Sequence, residues 1–158
     1  MNSHTVISNV TFTGNSAAYA PAIDLTACTS VLIWGCTFTG NVATEFGGAV
    51  YSRLSLNTLT FDGHTIIGNS TFHANQAQVG GAVYGALYSR FNVTAGTRFT
   101  NNTATITGGA FYCDSCDLLA LGQGTVVQGN YAGADGGGLC VDKCAGFQLN
   151  GAHLLSNK

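Results

Sequence analysis

The chain has 158 residues, of which 46% are hydrophobic and only 8% charged, with a net charge of −2. That balance excludes a disordered tail, and five Lys plus Arg in total exclude a basic stripe that could neutralise a phosphate backbone, so no nucleic-acid partner is expected. The apolar runs are broken by Thr, Ser, Asn and Gly and fall short of the roughly 20 residues of a spanning helix, so no membrane insertion of this segment is expected.

The length suits a single domain, 1–158. Residues 1–5 carry neither a basic n-region nor an apolar h-region, which reads as a mature segment cut from a longer precursor. Strand pattern begins at Thr5-Val6-Ile7. Phe12 then stands between two threonines, Asn15 follows, and Pro21-Ala22-Ile23 closes a first, worn repeat; Val31 and Ile33 alternate inward after it. Phe38, Asn41, Ala43 and Gly47-Gly48-Ala49-Val50-Tyr51 make the first full copy, with Leu54 and Leu56 assigned to the inward pair. Phe72, Asn75, Ala77 and Gly80-Gly81-Ala82-Val83-Tyr84 make the second, followed by Phe91 and Val93. Phe99, Asn102, Ala104 and Gly108-Gly109-Ala110-Phe111-Tyr112 make the third, followed by Leu119 and Leu121. Val127, Asn130, Ala132 and Gly136-Gly137-Gly138-Leu139, then Phe147 and Leu149, are a worn copy, and Leu154 with Asn157 opens another.

The asparagines at 15, 41, 75, 102, 130 and 157 lie 26, 34, 27, 28 and 27 residues apart. Periods in this range mark solenoids, whose units bury their apolar faces only by stacking. The long interval places an insertion of about seven residues between Ser52 and Asn69. Helix signals are nearly absent, and each repeat holds three strand-like segments: one after the glycines, one with the inward pair, and one centred on the residue three before Asn. The fold class expected is therefore all-β: a parallel β-helix of about five to six turns with three short strands per turn, right-handed by the general preference of parallel crossovers. Asn15, Asn41, Asn75, Asn102, Asn130 and Asn157 are expected to stack as an internal ladder, amide on amide, at the bend after the third strand. The Gly-Gly pair suits a tight corner with positive φ.

The Phe-x-x-Asn and Gly-Gly-Ala-apolar motifs at 38–50, 72–83 and 99–111 resemble the repeats of the chlamydial polymorphic outer-membrane proteins, which also occur in large microbial and algal surface proteins. The resemblance covers nearly the whole chain, although the copies at 12–23 and 127–139 depart from it. It implies a right-handed β-helical passenger, extracellular or on the cell surface, adhesive or structural, with no catalytic residues.

Six cysteines fall as Cys28 and Cys36, Cys113-x-x-Cys116, and Cys140-x-x-x-Cys144. The last four have zinc-like spacing. Given the extracellular setting that the resemblance implies, disulfides are the preferred reading: Cys113–Cys116, Cys140–Cys144 and Cys28–Cys36, with Cys116–Cys144 across turns as an alternative. No metal and no cofactor are expected. Asp114 and Asp142 share a repeat position, a geometry that suits calcium or a retaining glycosidase, but both lie in ordinary polar turns. His4, His64, His73 and His153 are read as sharing no position in the repeat. Threonines 11 and 13, 37 and 39, 71 and 100 form outward rows, and Tyr51, Tyr84 and Tyr112 an exposed aromatic row suited to sugar rings or a second subunit. Asn9, Asn69, Asn92 and Asn101 head glycosylation sequons.

Together these features indicate a non-enzymatic structural or adhesive β-helix protein. A carbohydrate-binding or carbohydrate-active protein and an ice-binding domain are the alternatives. Self-association end to end is expected because neither end of the pattern carries a cap, and glycans or a host or cell surface are further candidate partners.

Overall fold

The computed structural model describes residues 4–53 and 64–158. Its strands are all parallel to their neighbours and lie in four sheets that run the length of a solenoid. The first sheet has six strands: His4–Ser8, Ser30–Trp34, His64–Gly68, Arg90–Val93, Leu118–Leu121 and Phe147–Leu149. The second also has six: Thr11–Thr13, Thr37–Thr39, Thr71–His73, Arg98–Thr100, Val126–Gln128 and His153–Leu155. The third has Ser16–Tyr19, Val42–Phe46, Gln76–Val79, Thr103–Thr107 and Tyr131–Ala132, and the fourth Ile23–Asp24, Val50–Arg53, Val83–Ala86, Phe111–Asp114 and Leu139–Asp142.

The three expected segments are the first, second and fourth sheets. The count of three strands per turn is corrected to four, because the stretch between the Asn and the glycines is also paired, with register shifts in most of its pairings. Those irregularities hide it in the sequence, where strict alternation is the signal for a strand. A second correction concerns the inward pair of the third turn. Val31 and Ile33 are followed in the first sheet by Thr65 and Ile67; Leu54 and Leu56 lie outside the described residues.

The interior is built of like residues in columns. The Phe12, Phe38, Phe72 and Phe99 rings stack with centroids 4.9, 4.5 and 4.7 Å apart and interplanar angles of 4°, 8° and 14°. Val127 and Leu154 continue the column in register. Phe91 and Phe111 fill the centre, their rings meeting edge to face at 4.8 Å. Phe38, Phe72, Phe91, Phe99 and Phe111 are all fully buried. Beside the phenylalanines lies a buried column of small side chains, Cys36, Ser70, Thr97 and Thr125; the Ser70 hydroxyl there accepts the Cys36 N–H at 3.1 Å.

The asparagines satisfy the bend between the second and third sheets. Each Nδ2 donates to the Oδ1 of the next turn's asparagine, at 2.8 Å from Asn15 to Asn41, 2.9 Å to Asn75, 3.0 Å to Asn102, 2.9 Å to Asn130 and 2.9 Å to Asn157. The same Oδ1 atoms accept backbone N–H groups at 2.9–3.1 Å. From Asn41 onward, each Nδ2 also donates to the carbonyl of the column residue one turn back, such as Phe38 for Asn75. An interior amide is tolerated only when its donors and acceptor are all used, and here they are.

The two glycines of each pair have different tasks. The first turns the chain with φ of 61°, 66°, 70° and 64° at Gly47, Gly80, Gly108 and Gly136, a conformation other residues adopt at a cost. The second is set by the neighbouring turn. A Cβ at Gly81 would lie 2.1 Å from the Gly109 carbonyl oxygen, and one at Gly109 would lie 2.0 Å from that of Gly137.

Candidate functional site

Since the inside is spent on columns, candidate chemistry lies on outward columns and at the corners. The register of the fourth sheet places Tyr51, Tyr84 and Tyr112 in one outward column that ends at Cys140. Their rings stack, with centroids 5.3 Å apart and an interplanar angle of 2° for the first pair, and 5.5 Å and 21° for the second. The row is not openly exposed, which corrects the sequence reading. Tyr84 is only 8% exposed, and Tyr51 and Tyr112 are half-buried.

The cover comes from the third sheet, whose Phe46 ring lies 4.8 Å from Tyr84. Tyr19 adds a ring 5.7 Å from Phe46 and 6.0 Å from Tyr51, and its hydroxyl donates to Glu45 at 2.7 Å. Tyr19 and Phe46 are members of this cluster that sequence reasoning missed. Their position four or five residues past an Asn was a faint signal, blurred by the register shift between their strands. Burial, with Asp114 nearby, pushes the Tyr112 phenol up to about 12 and raises Tyr84 as well. The Glu45 hydrogen bond raises Tyr19.

Asp114 and Asp142 are register partners on the outside of the same sheet, and Lys143 sits 3.4 Å from Asp142. The threonines form two outward columns on the second sheet. One runs Thr11, Thr37, Thr71, Arg98, Val126, His153, and the other Thr13, Thr39, His73, Thr100, Gln128, Leu155. The four places after Thr37 in the first column hold one more threonine, Thr71, and the four after Thr39 in the second hold one, Thr100, so the rows are regular over the first turns alone. His4 and His64 do share a column of the first sheet, with Ser30 between them, contrary to the sequence reading; the insertion between their turns masks the correspondence. Ser30 bridges to His4 Nδ1 at 2.8 Å.

All four sequon asparagines are exposed. Asn92 is outward in its strand between Ile66 and Ala120. Asn9, Asn69 and Asn101 instead occupy left-handed corners with φ of 56°, 46° and 55°, a conformation in which asparagine is enriched. Each side chain also leans over a glycine of the following turn: a Cβ would meet Asn9 Oδ1 at 2.5 Å from Gly35, Asn69 Oδ1 at 3.0 Å from Gly96, and Asn101 Oδ1 at 2.7 Å from Gly129. Backbone geometry is therefore a sufficient reason for asparagine at these three places.

The cysteines are regrouped by the fold, and all six stand as thiols. Cys28 precedes and Cys36 follows the extended strand Ser30–Trp34, whose four rises span roughly 13 Å, well beyond disulfide reach. That pairing is corrected. Cys140 faces outward beside Tyr112, whereas the Sγ atoms of Cys113, Cys116 and Cys144 all lie within 4.8 Å of one another. The expected Cys140–Cys144 pairing thus gives way to a group of three thiols drawn from two turns.

With this geometry in place, relatives can be set against it. Residues 35–53 and 96–114 match the model of the Chlamydia polymorphic membrane protein repeat. Those two turns are similar to that repeat, and the matched spans together cover less than half of the chain. Each matched span runs from a corner after the first sheet, through Phe and Asn, to the end of a fourth-sheet strand, so the polymorphic membrane protein repeat corresponds to one column Phe, one ladder Asn and one Gly-Gly corner. "Probable outer membrane protein pmp6" of Chlamydia pneumoniae is 38% identical over 96 residues, covering 52% of this chain and 7% of that protein. No solved structure matches.

Proposed function

We propose that this chain is a structural, non-enzymatic segment of a cell-surface protein, a rod of stacked turns that presents variable outer columns. The observation that carries this reading is where the recurring residues go. Phe, Asn, Gly-Gly and Ala, the residues that recur from turn to turn, are all consumed by the interior and the corners. The outward positions of the second sheet change from Thr to Arg, Val and His along one column, as befits a scaffold whose surface is free to vary. The resemblance to a protein named for the outer membrane supports the surface location.

Self-association of copies is part of this proposal, since the open edge of a parallel sheet can pair with a strand of a second copy, and adhesion would then use the variable outer columns. Labelling of intact source cells with an antibody to this segment tests the location; signal only after permeabilisation would sink it. Light scattering and negative-stain microscopy on the purified chain test the stacking, which predicts rods that lengthen with concentration. A monomer that persists at high concentration counts against association of copies.

A further inference from the structure

The thiol group of Cys113, Cys116 and Cys144 is not needed for the β-helix. Cys113 sits inward on the strand Phe111–Asp114, in a column whose other members are Ser52, Gly85 and Val141. Cys116 lies at the following corner, stacked above Ser89 and below Cys144: the N–H of Asp117 donates to the Ser89 carbonyl, and that of Ala145 to the Cys116 carbonyl. Neighbouring turns thus fill the same places with serine, glycine or valine. Sulfur converges only where two turns supply it together.

We propose that these three side chains form a binding site for a thiophilic d10 metal ion, with Cu(I) and Zn(II) as the two sources of that chemistry. The geometry is near what such an ion requires. Three sulfurs held about 2.3 Å from a metal are about 3.8–4.0 Å apart, and the present separations of up to 4.8 Å close to that by side-chain rotation. Cys113 and Cys116 are 0% and 1% exposed, so two ligands are fixed by packing. Cys144 is half-buried and forms the mouth through which an ion enters. A Cβ at Gly85 would stand 2.4 Å from the Phe91 ring and 3.2 Å from the Cys116 sulfur, so the glycine of the preceding turn makes room for the ring and for that sulfur.

A disulfide would use two of the sulfurs and leave the third unused. A metal ion uses all three, replacing thiol protons that pass to solvent as the thiolate bonds form. Soft thiolates select Cu(I) and Zn(II) over hard cations. Trigonal sulfur completes Cu(I), whereas Zn(II) adds a water at the Cys144 side to reach four ligands.

The test uses the full chain, reduced and anaerobic, titrated separately with Cu(I) and Zn(II) against a chromophoric chelator. The reading expects one equivalent bound by at least one of the two, with sulfur-to-metal charge-transfer absorption. It also expects Cys113, Cys116 and Cys144 to be shielded from alkylation while Cys140 stays reactive. Cys144→Ser should weaken binding more than about tenfold, and Cys140→Ser should leave it unchanged. Cys144 is half-buried, so the serine variant is expected to keep its melting transition; if it does not, the alkylation pattern of the unmutated chain decides. Failure to retain either ion overturns the site. So does binding indifferent to Cys144→Ser in a folded variant, or formation of a disulfide among the three thiols in the presence of one equivalent of metal.

Discussion

Two aromatic columns run along this molecule one strand spacing per turn, and they do different work. The phenylalanine column, Phe12 to Phe99, stacks at 4.5–4.9 Å within the core. The tyrosine column, Tyr51 to Tyr112, stacks at 5.3–5.5 Å on the outside. Parallel in-register pairing forces both, because identical repeats place identical side chains over one another. What differs is the second wall. The phenylalanines are enclosed by the other sheets, whereas the tyrosines are covered on one side only, by Phe46 and Tyr19. Stacking comes from the repeat, but the energy comes from enclosure.

The sharpest way to break the comparison is Phe72→Ala. The ring is fully buried between Phe38 and Phe99, so the loss should be about 3–5 kcal/mol in a denaturant titration. A loss below about 1 kcal/mol would show that the inner column is not the core. Asn75→Ala tests the amide ladder beside it. It removes the acceptor of the Asn41 Nδ2 and backbone N–H and the donor to Phe38 and Asn102; with about 1–3 kcal/mol for a buried group left unsatisfied, at least one such cost should appear in the same titration.

Tyr84→Ala should cost about 1–2 kcal/mol, visibly less than Phe72→Ala, because the outer column has one wall. An equal cost would erase the distinction drawn here. Tyr84 and Tyr112 are both held protonated by burial, the latter up to about 12. The folded state therefore keeps these protons more tightly than the unfolded chain. The stability they contribute is fully present below the ordinary tyrosine value of 10.0 and is lost as pH rises toward about 12. Alkaline melting followed by tyrosinate absorbance should show unfolding and ionisation together in that window, and ionisation of all tyrosines near pH 10.0 with no change in melting would contradict it. Thr39→Ala, on the outward face of the second sheet, is the smallest change and should fall within about 0.5 kcal/mol.

Much of the fold was legible because a repeat reports its own register. The Phe-x-x-Asn spacing and the Gly-Gly corners recur in sequence, and the columns Phe12–Phe38–Phe72–Phe99 follow from stacking equal positions. The third sheet was not legible, since its register shifts at Ala77/Val79 and Ala17/Tyr19 break the alternation by which a strand is recognised. The third turn was misassigned for a related reason: counting onward from Tyr51 reaches Leu54 and Leu56, while the inward pair follows the insertion at Thr65 and Ile67.

The cysteines divide the two kinds of information most clearly. Sequence spacing groups Cys140 with Cys144, because closeness along the chain is all that spacing measures. The tyrosine column already contained the correction, since Cys140 occupies the place of Tyr51, Tyr84 and Tyr112, one step past an inward residue, and so must face outward. The sequence by itself determined the solenoid, its inner Phe column and its Gly-Gly corners, because those depend on periodicity and on local backbone preference. Only the tertiary structure decided that Phe46 and Tyr19 cover Tyr84, and that Cys144 of one turn meets Cys113 and Cys116 of the turn before. Those contacts depend on which corner each strand turns and which way each side chain points, and stacking brings them together across 28 and more residues.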